Sequence, residues 1–275
     1  MQRKATQIIN LLDQYNGDWE KACFVLFARS LGFGLNSEPF EMLAKSIPLS
    51  VLHHHSDSEL QLQAIFFGQA GMLDMSMHIL DEYYQRLCRE YYFLSRKYSL
   101  KPMPVHLWQY ARTRPANFPH RRIALLSKFV EGGFSLMRKI IDAKAKTDCL
   151  IELFDVSMSG YWNENFAFGY PARQNFNTLS RRSIDLILIN TVAPLYYAYG
   201  KYRGDIEIEE SALNLLSNLN PEKNAIITQW SIVGIKADNA LRSQALIQLR
   251  KEYCDIRKCL HCRIGNKLLR TIGYK

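Results

Sequence analysis

The segment 79-ILDEYYQRLCREYYFLSRKY-98 decides the fold class. Its apolar positions Leu80, Tyr83, Tyr84, Leu87, Tyr91 and Leu94 recur at the i, i+3, i+4 spacing of a helix with one buried face. Neither Pro nor Gly interrupts the run. Tyrosines at this spacing read as core rather than as a platform for stacking bases. The same period extends in both directions. Upstream, 57-DSELQLQAIFFGQAGML-73 predicts a helix capped by Asp57, and 37-SEPFEMLAKSIPL-49 one capped by Ser37, with Pro39 early where its missing N–H does little harm. The stretch 18-DWEKACFVLFARSLG-32 runs from an Asp18 cap to Gly32. Downstream of the proline-containing connection 99-SLKPMPVH-106, the stretch 119-PHRRIALLSKFVEGG-133 opens at Pro119 and closes at Gly132. Residues 180–200, 209–219 and 238–254 repeat the pattern. Only 205-DIEIE-209 alternates like a strand. The expectation is an all-α fold: one compact multi-helix unit over residues 1–275, with little or no sheet and a seam near 99–105.

Composition sets the bounds. With 48% hydrophobic and 22% charged residues, 275 residues can bury a substantial core. No apolar run reaches the roughly 20 residues needed to span a bilayer. The N-terminus carries charges where a signal peptide needs its apolar stretch. These features predict a cytoplasmic protein with no membrane partner. In that setting Cys23, Cys88 and Cys149 read as reduced, mostly buried thiols.

The net charge of +9 is concentrated. Residues 101–146 carry ten basic and two acidic side chains, and residues 250–275 carry eight and two, while the rest of the chain is slightly acidic. Clustered basic charge attracts polyanions. Its densest part is 112-RTRPANFPHRR-122. Arg112, Arg114, Arg121 and Arg122 offer planar forks suited to phosphate. Asn117 and the prolines shape the loop, and the N–H groups of a helix starting near Pro119 point back towards it. The competing reading is a loop whose arginines only tie helices together.

Three further stretches carry candidate chemistry. In 253-YCDIRKCLHCRIG-265, Cys254, Cys259 and Cys262 form C-x4-C-x2-C, a spacing used for zinc or an iron–sulfur cluster. His261 or the distant Cys149 could supply a fourth ligand, or the triplet could hold a cluster with one open iron. The alternative is one helix over 238–262 with Cys259 and Cys262 as buried thiols on its inner face. The stretch 161-YWNENFAFGYPARQNFNTLSRRSIDLILIN-190 leads through Arg181 and Arg182, further phosphate candidates, to Asp185 and Asn190. Asp185 is expected to pair with an arginine of 112–122 or with Arg181 or Arg182, either to fix the fold or to line a pocket with Arg114, Asn117 and Asn190. The adjacent histidines of 53-HHH-55 point in different directions and read as an exposed helix junction.

The strings 32-GFGLNSEPFEMLAKSIPL-49, 64-AIFFGQAGML-73, 112-RTRPANFPHRRIALL-126, 184-IDLILINTVAPLYYAYG-200 and 243-SQALIQLRKEYCDIRKCLHCRIGNKLL-269 resemble the proteins grouped as domain of unknown function 2851. The resemblance covers nearly the whole chain, with the arginine–proline–asparagine loop and the cysteine motif as its most specific parts. It implies no established activity. It does imply that members carry a further N-terminal region with acidic and histidine motifs of nuclease-like character, so that this chain corresponds to their helical C-terminal portion.

Together these features predict a helical module that binds DNA or RNA or assists its processing, through the arginine loop and the basic tail after Arg250. Two rivals stand beside it: a structural or partner-binding helical domain, and an enzyme acting on a small anionic substrate.

Overall fold

A computed structural model describes the chain except residues 75, 77–80, 159, 174–176 and 273–275, and the side chain of residue 272. Leu80 of the opening stretch therefore lies outside the described residues. The fold is predominantly α-helical, with one two-stranded sheet among the described residues.

The N-terminal half runs α1 (Gln2–Gln14), α2 (Trp19–Leu31), α3 (Ser37–Ser46), α4 (Leu49–His54), α5 (Glu59–Gln69) and α6 (Glu82–Tyr98). Asp18 caps α2 by accepting from Lys21 N at 2.9 Å. For α5 the cap is Ser58 rather than Asp57, because the Ser58 hydroxyl is the group that accepts from Gln61 N. In α6, Tyr84, Leu87, Tyr91 and Leu94 are buried, as the helical spacing predicts. Gly68 brings α5 against α6: a Cβ there would sit 2.1 Å from Tyr91 Cδ2.

After a loop come α7 (Pro119–Val130), α8 (Leu136–Asp142), α9 (Thr147–Glu152) and the single turn α10 (Tyr161–Glu164). The strands β1 (Asn165–Ala167) and β2 (Tyr170–Pro171) form a small antiparallel hairpin. Helix α7 packs against α5, α2 and β1, which leaves it little solvent-facing surface. The connection at 99–105 returns to the core, with Met103 buried and its N–H donating to Gln69 O at 2.9 Å.

The last third contains α11 (Arg181–Ile187), α12 (Ala193–Arg203), α13 (Ile206–Asn218), α14 (Ala225–Ile232), α15 (Ala240–Leu249) and α16 (Arg263–Ile272). The expected helix over 180–200 is interrupted by a π-helical turn at Leu188–Val192. That turn precedes Pro194, which cannot donate to an α-helical ladder, so the widened turn absorbs the missing bond. The strand-like 205-DIEIE-209 is instead the first turn of α13. Asp205 accepts from Glu207 N and Ile208 N at 3.0 and 3.2 Å, and this cap overrides the alternation.

Candidate functional site

The arginine-rich loop is pinned at both ends. At its start Trp108 is buried and donates Nε1–H to Ala70 O at 2.8 Å. The next residue, Gln109, exchanges two hydrogen bonds with buried Asn36: Asn36 Nδ2 donates to Gln109 O at 2.9 Å, and Gln109 N donates to Asn36 Oδ1 at 2.8 Å. At its end a 3-10 turn over Pro115–Asn117 delivers the chain to Pro119, the first residue of α7. No side chain caps the α7 N-terminus. Between these anchors Arg112 and Arg114 are exposed, and Arg112 takes a left-handed φ of 63°.

Arg121 and Arg122 face inward instead, at 1% and 4% exposure. Arg122 Nη2 donates to Asn117 Oδ1 at 2.6 Å, and its guanidinium lies 4.8 Å from the Phe33 ring centroid. Arg121 Nη1 donates to Asn165 O at 3.1 Å. Arg121 Nε, Arg121 Nη2 and Arg122 Nε are buried without a partner among the described residues, as is Asn163 Oδ1. No described carboxylate pairs with either guanidinium. Burial lowers the pKa of Arg121. It also pulls Arg122 down to about 10, with the neighbouring Arg121 charge adding to the effect. Desolvating two like charges side by side without a counter-charge costs several kcal/mol per ion on general grounds.

The same loop walls a cavity that the sequence did not reveal. It measures about 490 Å³ and is lined by Tyr84, Tyr110, Phe118, His120, Phe166 and Phe168, among others. The β1–β2 hairpin forms its far side. Asp81 fixes that hairpin: its carboxylate caps α6 by accepting from Tyr84 N at 3.0 Å, accepts from Gly169 N at 3.0 Å, and is hydrogen-bonded by the Tyr161 hydroxyl. The adjacent Trp162 is anchored through Nε1–H to Gln63 Oε1 at 2.6 Å. Gly71 lets the chain at Met103 close over the floor, since a Cβ there would meet Met103 O at 2.2 Å. His120 is enclosed by rings, with Phe118 stacked at 5.7 Å and Phe168 edge-on at 5.3 Å. Burial lowers its pKa to about 4, so the imidazole is neutral near pH 7. The aromatic density of 161–170 was the available signal, but the pairing of this segment with Tyr110 and Phe118 exists only in three dimensions.

Other expected residues lie elsewhere. Asp185 pairs with Arg181 one helical turn away, Nε to Oδ1 at 3.0 Å, and not with the 112–122 loop. Arg182 is exposed and donates to Lys223 O at 3.1 Å. Asn190 accepts from Lys4 Nζ at 3.0 Å and donates to Glu222 Oε1 at 2.9 Å. The expected pocket of Arg114, Asn117, Asp185 and Asn190 is therefore not assembled: Asp185 on α11 is satisfied within its own helix, and Asn190 in the π-helical turn is satisfied against α1 and the 219–224 connection.

The cysteine triplet also departs from both of its readings. The helix does not run through 238–262. It ends in a π-helical turn at Arg250–Cys254, and the chain reverses at Arg257, which has φ 53°. A 3-10 turn over Cys259–His261 follows. Cys254 and Cys259 are exposed, so they are not core thiols. Among the described residues no group of three His, Cys, Asp or Glu side chains is placed to hold a metal ion. The triplet with His261 or Cys149 thus does not fit a zinc or iron–sulfur centre in this arrangement. Cys23 and Cys88 are buried as expected, but Cys149 is exposed on the short α9. Among the described residues no helix is long and apolar enough to cross a membrane.

No curated protein and no solved structure matches the chain. A family model does match residues 1–225, most of its length, and the chain belongs to the family described as "Protein of unknown function (DUF2851)".

Proposed function

We propose that the chain is a nucleic-acid-binding helical module, of the kind that serves as an accessory to nucleic-acid processing, and that it grips phosphates at the arginine loop. The observation that carries this reading is the charge arrangement around the start of α7. Arg112 and Arg114 are exposed on the loop, Arg121 and Arg122 are buried beneath it, and no described carboxylate balances the buried pair. An uncapped helix N-terminus adds its own free N–H groups and positive dipole end. The basic segment beyond Arg250 extends the charge available to a polyanion.

The test is binding of a fluorescent single-stranded oligonucleotide across a salt series. Affinity falls steeply with salt, and Arg112→Ala and Arg114→Ala each flatten the log–log slope by about 0.7, the value for one phosphate contact on a single strand. Both residues are exposed, so the variants keep the wild-type melting temperature. Absence of any binding at about 50 mM salt, where phosphate contacts are strongest, sinks the proposal.

A structural reading of the inner pair has its own support. Arg122 holds Asn117 and stacks on Phe33, and Arg121 holds the hairpin through Asn165 O. It predicts that loss of either side chain lowers stability whether or not an anion is present.

A further inference from the structure

The aromatic cavity beside the arginine loop has the chemistry of a ring-binding site. Its walls are faces and edges of Tyr110, Phe118, Phe166 and Phe168, which offer stacking contact and little else. Among the polar residues of the lining is His120, whose Nδ1 is buried and has no hydrogen-bond partner among the described residues. An unpartnered imidazole nitrogen in an apolar cage is a costly group to leave unsatisfied. Asp74 is the acid on the wall, and Ser76 engages its carboxylate through N–H at 2.8 Å and the hydroxyl at 2.6 Å. The loop that supplies Tyr110 and Phe118 to the cavity carries Arg112 and Arg114 between them. Arg112 is two residues from Tyr110, a backbone span of at most about 7 Å.

We propose that this cavity receives a flat, uncharged heteroaromatic ring, the unpaired nucleobase of a single-stranded ligand whose flanking phosphates lie on Arg112 and Arg114. The identity of the ring rests on the nucleic-acid reading above; the cavity's capacity for a ring does not. A single strand is required, because a base must leave its partner to stack between the aromatic walls of a cavity. Stacking walls accept every base.

Two probes test the two layers separately. The first is a pair of fluorescent DNA ten-mers, one wholly abasic and one with a single central adenine. The single-adenine strand binds about 5- to 150-fold more tightly, the worth of stacking one base on aromatic side chains. The advantage persists as salt is raised, while the affinity of both strands falls. Phe118→Leu removes most of it. Tyr170→Ala, at the exposed rim with 62% accessibility, reduces it without touching the core. Equal binding of the two strands by the wild type overturns the cavity assignment and leaves the phosphate reading intact. The second probe is adenosine, which has no phosphate, followed by titration calorimetry. If neither ten-mer binds but adenosine does, and Phe118→Leu abolishes its binding, the phosphate reading fails and the ring site stands. No heat from adenosine together with no single-adenine advantage overturns the ring site.

Discussion

His120 offers a sharp physical test, because its environment converts directly into a pH dependence of stability. In the unfolded chain its imidazole titrates near 6.5. In the native state burial among Phe67, Tyr110, Phe118 and Phe168 lowers that value to about 4. The folded state therefore binds fewer protons than the unfolded state between these two values, and stability rises with pH across that window. The contribution is fully present above about pH 6.5 and is lost as the pH falls towards 4. Each pH unit inside the window is worth about 1.4 kcal/mol, so lowering the pH from 7 to 5 removes about 2 kcal/mol, and the whole shift about 3 kcal/mol. His120→Phe keeps an aromatic ring in the cage and removes the titration. Urea unfolding followed by far-UV circular dichroism, at pH 7 and pH 5, gives the wild type an extra loss of about 2 kcal/mol over the variant. Carboxylates that titrate over the same range act in both proteins and cancel in the comparison. An identical pH dependence of the two proteins would falsify the desolvation argument; the aromatic faces would then be holding the imidazolium by cation–π attraction instead.

Two further outcomes follow from the packing. Arg121→Met keeps the length of the side chain but removes a buried, uncompensated charge. In anion-free buffer its melting temperature matches or exceeds that of the wild type, as general experience with buried charges indicates. Inorganic phosphate at about 100 times its Kd raises the wild type by about 2.7 kcal/mol, or roughly 5–10 °C, and the variant by less than half as much. An equal phosphate response, or a variant that melts lower at every phosphate level, refutes the anion-receptor reading. Gly68→Ala gains about 1 kcal/mol of helix propensity, but it drives a methyl into the Tyr91 ring at 2.1 Å. Over-packing of this kind costs about 1–3 kcal/mol, so the melting temperature drops by a few degrees. Tyr91→Ala in the same chain relieves the clash, so the two changes are non-additive by 1 kcal/mol or more in order of magnitude, and strict additivity in a double-mutant cycle refutes the close approach.

The sequence by itself determined the helices, because helix periodicity is a property of neighbouring residues. The stripe Tyr84, Leu87, Tyr91, Leu94 and the Asp18 cap depend on contacts three or four positions apart, and all are realised. The Pro119 opening of α7 is equally local. Local signals failed where two competed: 205-DIEIE-209 alternates like a strand, yet the Asp205 carboxylate takes two backbone N–H groups and starts a helix. At the cysteines, C-x4-C-x2-C spacing says nothing about the turn at Arg257, which takes a left-handed φ.

Only the tertiary structure decided which charges are buried and which residues share a site. Consecutive arginines at the start of a helix say nothing of their own burial, and Arg121 and Arg122 became interior residues because α2, α5 and the hairpin close around α7. Asp185, which could have met any of six arginines, took the one a helical turn away, where little chain entropy is lost in pairing. The aromatic cavity joins Tyr84, Tyr110, Phe118 and Phe168, residues separated by up to 84 positions. Side chains so far apart in sequence meet only when the packing of apolar surface brings their elements together, and no local pattern records that meeting.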